Sequence, residues 1–135
     1  KDGVHAPGVK TSVEDAKTFY ESCVVDGLAI AVGSSHAMTE KTASLDTQRI
    51  AEIAEILPIP LVLHGSSGVS NEQLLEAIKA GIKKINISTE LNRVFTSSIR
   101  ETLGSSQTLV DPRKYLGPAR DKVTTAVIDY LRFIN

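Results

Sequence analysis

Three places in this chain combine histidine, asparagine, serine and glycine at the end of a short apolar run. His36 closes Gly33-Ser34-Ser35-His36, which follows the run 28–32. His64 ends Leu61-Val62-Leu63-His64, and Gly65-Ser66-Ser67-Gly68 comes directly behind it. Asn86, Ser88 and Thr89 close the third, Lys84-Ile85-Asn86-Ile87 and its continuation. Neighbouring parallel strands lie about 5 Å apart, so His36 and His64 can converge on one point above a sheet. Neutral imidazole is the commonest protein ligand for zinc. A catalytic zinc needs a third protein ligand and an open position, so two histidines leave packing and polar catalysis open beside metal binding. The glycines, hydroxyls and amide of the other segments suit a phosphate or a sugar hydroxyl; they also read as ordinary turn and cap residues.

The elements that must position these groups alternate. Thr11 or Ser12 caps a helix with Val13, Ala16, Phe19, Tyr20 and Cys23 on one face. Residues 28–32 form an apolar run suited to a strand buried on both faces. Asp46 caps a helix carrying Ile50, Ile53, Ala54 and Leu57, closed by Pro58 and Pro60. Strand 61–63 follows, and Ser70-Asn71-Glu72-Gln73 is a capping box for a helix over 71–80 that Gly81 stops. Residues 84–87 are a third strand, and a helix from about Thr89 ends at Gly104. Asp111 caps a further segment that Gly117-Pro118 interrupts before a last amphipathic helix.

Alternating strands and helices require a parallel sheet with right-handed crossovers. Three such strands would leave two bare edges, which parallel sheets avoid. The pattern predicts an α/β fold that is the C-terminal part of a larger array of βα units. Residues 1–10 read as a mobile loop, 11–104 as three βα units, and 105–135 as a helical extension of the same domain. In a (β/α)8 barrel, phosphate commonly sits in the loops after the last two strands. Here those loops would be Gly65–Gly68 and Asn86–Thr89.

Composition narrows the partners. The 135 residues carry 15 basic and 16 acidic side chains, a net charge of −1, which gives no electrostatic case for nucleic acid or an anionic membrane. A single cysteine, Cys23, rules out an internal disulfide and suits a reducing compartment; its expected role is a small buried hydrophobe on a helix. No apolar run reaches spanning length, and residues 1–10 do not resemble a signal sequence. The expectation is a cytoplasmic chain without a membrane or nucleic-acid partner.

Four motifs, in this order, resemble the class II, metal-dependent ketose-bisphosphate aldolases. They are Gly33-Ser34-Ser35-His36, Leu63-His64-Gly65-Ser66-Ser67-Gly68, Lys84-Ile85-Asn86-Ile87-Ser88-Thr89-Glu90 and Asp111-Pro112-Arg113-Lys114-Tyr115-Leu116. The resemblance is closest to the branch holding tagatose- and fructose-bisphosphate aldolases, and it covers nearly the whole chain. It implies a (β/α)8 TIM barrel, of which this chain would be the last three βα units and the terminal helices. It implies that His36 and His64 are zinc ligands, with a monovalent cation near the phosphate site. Gly65 and Ser67 match phosphate-loop positions, and Asn86 and Thr89 match groups holding the dihydroxyacetone phosphate half. Ala37 stands where the family usually has glycine near that phosphate.

The third zinc ligand and the general acid or base belong to the family's N-terminal half, which is the expected partner, together with further copies in a homo-oligomer. The implied reaction is reversible aldol cleavage of fructose or tagatose 1,6-bisphosphate to dihydroxyacetone phosphate and glyceraldehyde 3-phosphate. This stretch alone would be inactive. With Lys83 and Lys84 at the start of their strand, no lysine stands at a strand's carboxyl end, as suits chemistry without a Schiff base. Two other classes fit the same motifs. One is a non-catalytic sugar-phosphate-binding module; the other is a metal-free phosphosugar isomerase or synthase barrel with polar catalytic histidines.

Overall fold

A computed structural model describes residues 9–35 and 40–134. Most of the expected loop 1–10, together with His36 and Ala37, lies outside the described residues. The chain alternates as its apolar pattern requires: α1 (Val13–Ser22), β1 (Leu28–Ala29), α2 (Thr47–Ile56), β2 (Leu61–Leu63), a 3-10 turn (Ser66–Gly68), α3 (Asn71–Ala80) and β3 (Ile82–Ile85). Two long helices follow, α4 (Thr89–Ser105) and α5 (Arg113–Ile134). The strands are parallel and lie in chain order, β1-β2-β3.

Contacts divide the chain into two compact units, Lys1–Ile87 and Ser88–Asn135. In the first, alternate strand residues point to one side. Leu28, Ile30 and Val32, with Leu61 and Leu63, meet Ala16, Ile50, Ile53, Leu74 and Ala77 from the helices. All of these but the half-buried Leu28 are buried. Ala29 and Ala31 are exposed on the other side. The run 28–32, expected to be covered on both faces, is therefore covered on one, because the helices of this unit pack against a single side of the sheet. Cys23 also departs from expectation: it is exposed at the C-cap of α1, beyond the helical face.

Capping residues set the helix starts. The side chains of Ser12, Asp46 and Ser70 accept from the backbone N–H groups of Asp15, Arg49 and Gln73. The capping box at α3 forms only in half. Gln73 does not reach back to its own cap; its Oε1 accepts from the Leu45 amide at 2.7 Å. That bond ties the head of α3 to the segment leading into α2.

The third strand begins earlier than the sequence suggests. Gly81, at φ 131°, ends α3 and leads directly into Ile82, which is buried. Lys84 is consequently the third of four strand residues rather than the first. The second unit departs twice more. Gly104 lies inside the last turn of α4, and α5 runs unbroken through Pro118. Proline forfeits one N–H bond and clashes with the residue before it. Here that residue is Gly117, which has no Cβ to clash. Ser98 of α4 and Ala119 of α5 are buried in this unit, and Lys122 pairs with Glu101 at 2.6 Å.

Two contacts lock the loops at the carboxyl edge of the sheet. The Ser34 hydroxyl donates to the His64 carbonyl oxygen at 2.5 Å. Gly65 adopts the left-handed conformation, φ 65°, with the Ser35 backbone against it; a Cβ there would stand 2.6 Å from the Ser35 carbonyl oxygen. Gly65→Ala should therefore destabilise the fold by at least about 1–2 kcal/mol from backbone conformation alone, measured by denaturant unfolding of the full-length protein. An alanine variant as stable as the parent would show that this loop is free to rearrange.

A polar cluster fixes the chain where it enters this unit. Lys10 Nζ pairs with Asp46 Oδ2 at 3.0 Å, and Arg49 Nη1 donates to the Thr11 carbonyl oxygen at 3.2 Å. Thr11 also exchanges bonds with Ala31 through its amide and hydroxyl. The hydrogen bond from Lys10, reinforced by the Arg49 amide, holds the Asp46 carboxyl below its ordinary value of 3.8. A depressed carboxyl contributes stability that is present above its unfolded pKa and fades as pH falls through the folded one. Asp46→Asn should leave the cap in place while removing that part of the acid sensitivity below about pH 4, read from melting temperature against pH. Identical acid profiles for parent and variant would exclude a role for the ion pair.

Candidate functional site at the carboxyl edge of the sheet

The register between β2 and β3 decides which side chains meet. Leu61 pairs with Ile82, but Val62 pairs with Lys84 and Leu63 with Ile85. Lys83 is thus an extra residue, a bulge that steps β3 by one. Beyond the last pair, the Asn86 amide donates to the Leu63 carbonyl oxygen at 3.0 Å, continuing the ladder. His64 and Asn86 then stand opposite one another on the same face as Val62 and Lys84. Without the bulge, Ile85 would face His64.

The outcome is a short polar row. The Asn86 carboxamide Nδ2 lies 3.4 Å from His64 Nε2, and Lys84 Nζ donates to Asn86 Oδ1 at 2.8 Å. His64 and Lys84 are exposed; Asn86 is half-buried. Behind His64 the 3-10 turn buries Ser66 and Ser67, the latter 8% exposed. The Ser66 hydroxyl donates to the Leu63 carbonyl oxygen at 3.4 Å. Ala43 pairs with Val69, and its amide donates to the Gly68 carbonyl oxygen. The turn is thereby held from both sides.

Of the residues singled out from sequence, the structure brings His64, Gly65, Ser67 and Asn86 to this edge. Thr89 is the first residue of α4, in the second unit, where Ser88 stands at the N-cap with no side-chain cap bond. His36 and Ala37 fall outside the described residues. Among the described residues no three His, Cys, Asp or Glu side chains gather as a metal site. His64 fits the part of one ligand by residue type and exposure, and its Nε2 lies 3.4 Å from Asn86 Nδ2. The described residues hold no complete ligand set.

Sequence reasoning missed two participants. Ser34, which its residue type alone does not distinguish from Ser35, clamps the His64 backbone. Lys84 stands third of four in its strand and not at its start. Its i, i+2 spacing from Asn86 is the signal that places both on one face.

Known proteins share this fold. The family model described as fructose-bisphosphate aldolase class-II matches residues 1–135. The fructose-bisphosphate aldolase of Thermus caldophilus is 39% identical, over 87% of this chain and 46% of that protein. The YdjI aldolase of Escherichia coli K12 superposes with a TM-score of 0.80 at 28% identity, covering 93% of this chain and 46% of that one. The fructose-bisphosphate aldolase of Campylobacter jejuni, at 21% identity, shares the fold with a TM-score of 0.76 over 93% of this chain and 45% of its own. The chain spans a little under half the length of these relatives. Its sequence, matched by the family model from end to end, belongs to the class II fructose-bisphosphate aldolase family.

Proposed function

We propose that this chain is the C-terminal part of a (β/α)8 barrel that cleaves a ketose 1,6-bisphosphate, fructose or tagatose, by a metal-dependent aldol reaction in the cytoplasm. The observation that carries the reading is the meeting of His64 and Asn86 across the ends of β2 and β3, in front of the turn Ser66–Gly68. Parallel α/β sheets take ligands at this edge. The remaining barrel strands, the third metal ligand and the general acid or base belong to the N-terminal half. Further copies of the protein complete a homo-oligomer.

His64, together with His36, would hold a zinc ion. When bound, zinc supplies Lewis-acid polarisation of the ketose carbonyl, so that no Schiff base is required. The chain's own residues bind and orient. Gly65–Gly68 presents backbone amides and the Ser67 hydroxyl toward one phosphate, with a monovalent cation beside it. Asn86 offers its carboxamide to the dihydroxyacetone half, next to His64. Holding the phosphate fixes where the carbonyl and the neighbouring hydroxyl lie, which replaces a chance encounter by a held geometry. The general base of the N-terminal half would take the proton of the C4 hydroxyl as the bond between the third and fourth carbons breaks, releasing glyceraldehyde 3-phosphate; a proton returned to the third carbon leaves dihydroxyacetone phosphate on these groups.

The full-length protein should cleave fructose or tagatose 1,6-bisphosphate in a manner that a chelator abolishes. His64→Ala should remove that turnover with little loss of stability, since the side chain is exposed. A purified, folded, zinc-supplemented protein that turns over neither sugar would overturn the proposal. Ser67→Ala should weaken dihydroxyacetone phosphate binding about tenfold or more, as expected for loss of a charge-assisted bond. Calorimetric titration alongside a melting curve separates this from a purely structural role. Lower stability with unchanged affinity would make Ser67 a turn residue only.

A further inference from the structure

We infer that Gln73 is a positioning residue for the turn Ser66–Gly68: through the segment 43–45 it sets where that turn stands. What the turn binds rests on the proposed function above; how it is held does not. The first link is the bond that Gln73 makes. Its Oε1 accepts from the Leu45 amide at 2.7 Å, 28 positions away in sequence, while its own amide donates to the Ser70 hydroxyl. The second link lies two residues back. The Ala43 amide donates to the Gly68 carbonyl oxygen at 3.0 Å, and Ala43 pairs with Val69. The segment 43–45 is therefore fastened at one end to the head of α3 and at the other to the end of the turn.

The turn's own bonds fix its shape: the Gly68 and Val69 amides donate back to the Gly65 and Ser66 carbonyl oxygens. Its placement against the loop after β1 is a separate matter, and there the segment 43–45 acts as a spacer. On its far side it lies against Gly33, where a Cβ would collide with the Ser44 carbonyl oxygen. Gln73 pins this spacer to a helix whose position is set by the buried Leu74 and Ala77. A turn that grips phosphate needs its groups held to within about 0.5 Å, and a misplacement of about 1 Å is costly to what a site does. The Leu45 amide is a partly buried donor, so without its acceptor it would draw the segment toward water. Gln73 thus acts on the turn through the backbone of 43–45.

Amide hydrogen exchange in the full-length protein reads this linkage without any activity. Gln73→Met keeps the side chain's length and helix preference but removes the acceptor. It should speed exchange roughly threefold or more at Leu45 and also at Ala43, whose acceptor belongs to the turn. Gln73→Glu, which keeps an acceptor oxygen at the same reach, should return both amides to the parent's rates. Faster exchange at Leu45 with Ala43 unchanged, or no rescue by Gln73→Glu, would overturn the assignment. Dihydroxyacetone phosphate affinity is the second arm: Gln73→Met should weaken it roughly three- to tenfold. Ser12→Ala, which removes the cap of α1 and so lowers stability elsewhere, should leave that affinity unchanged. Equal affinities in parent and Gln73→Met, or an equal loss in Ser12→Ala, would make Gln73 a structural residue only. A parent that binds no dihydroxyacetone phosphate, while its Ala43 amide still depends on Gln73, would count against the proposed function and not against the hold of Gln73 on the turn.

Discussion

Everything at the carboxyl edge depends on the close approach of two loops at Gly65. The turn after β2 can bend back over the sheet only because residue 65 takes a left-handed conformation and has no Cβ where the Ser35 backbone sits. That approach brings Ser34 within reach of the His64 carbonyl oxygen, so the loop after β1 and the end of β2 become one body. Gly65 therefore fits a space already filled by protein. Its place in a phosphate loop, as the resemblance implies, would rest on the amides it aligns rather than on open room above it.

Around this contact the remaining interactions divide the labour. Burial of Leu61, Leu63, Ile50, Ile53 and Leu74 supplies cohesion on one side of the sheet, at about 1.5–3 kcal/mol for each large side chain fully withdrawn from water. The polar ties supply placement instead. Gln73 reaches from α3 to Leu45, Arg49 reaches from α2 to Thr11, and Ala43 pairs with Val69. Each joins segments far apart in sequence. Their joint effect is to hold the strand-end loops in register with helices whose own positions are set by apolar packing.

Most of this fold was legible because apolar spacing and capping chemistry are local. Val13 to Ser22, Thr47 to Ile56 and Asn71 to Ala80 form helices behind the caps the sequence offers, and Leu61–Leu63 is a strand as its composition demands. What escaped was set by neighbours. The half-made capping box followed from the Leu45 amide competing for Gln73, and the uninterrupted α5 from a glycine relieving the proline behind it. The site was legible in its residue types: His64, Gly65, Ser67 and Asn86 do gather at one edge. The start of β3 and the side that Lys84 faces were not, because a bulge leaves no mark in hydrophobic periodicity. Nothing in Lys83-Lys84 says which lysine is the inserted one.

That bulge also makes the site unequally tolerant of different kinds of genetic change. Single-base substitutions alter one side chain at a time and leave the pairing of β2 with β3 in place. Loss of the Lys83 codon would take out only the extra residue: Val62 would still meet Lys84, Leu63 would still meet Ile85, and Asn86 would stay opposite His64. Loss of the Ile85 codon would do something else. The strand would still be parallel and still offer Ile82 to the core, but every residue after the gap would move to the opposite face. Ile87 would confront His64, and Asn86 would turn toward the helices. Of two deletions equal in length, one would spare the site and the other would dismantle it more completely than exchanging any one of its members.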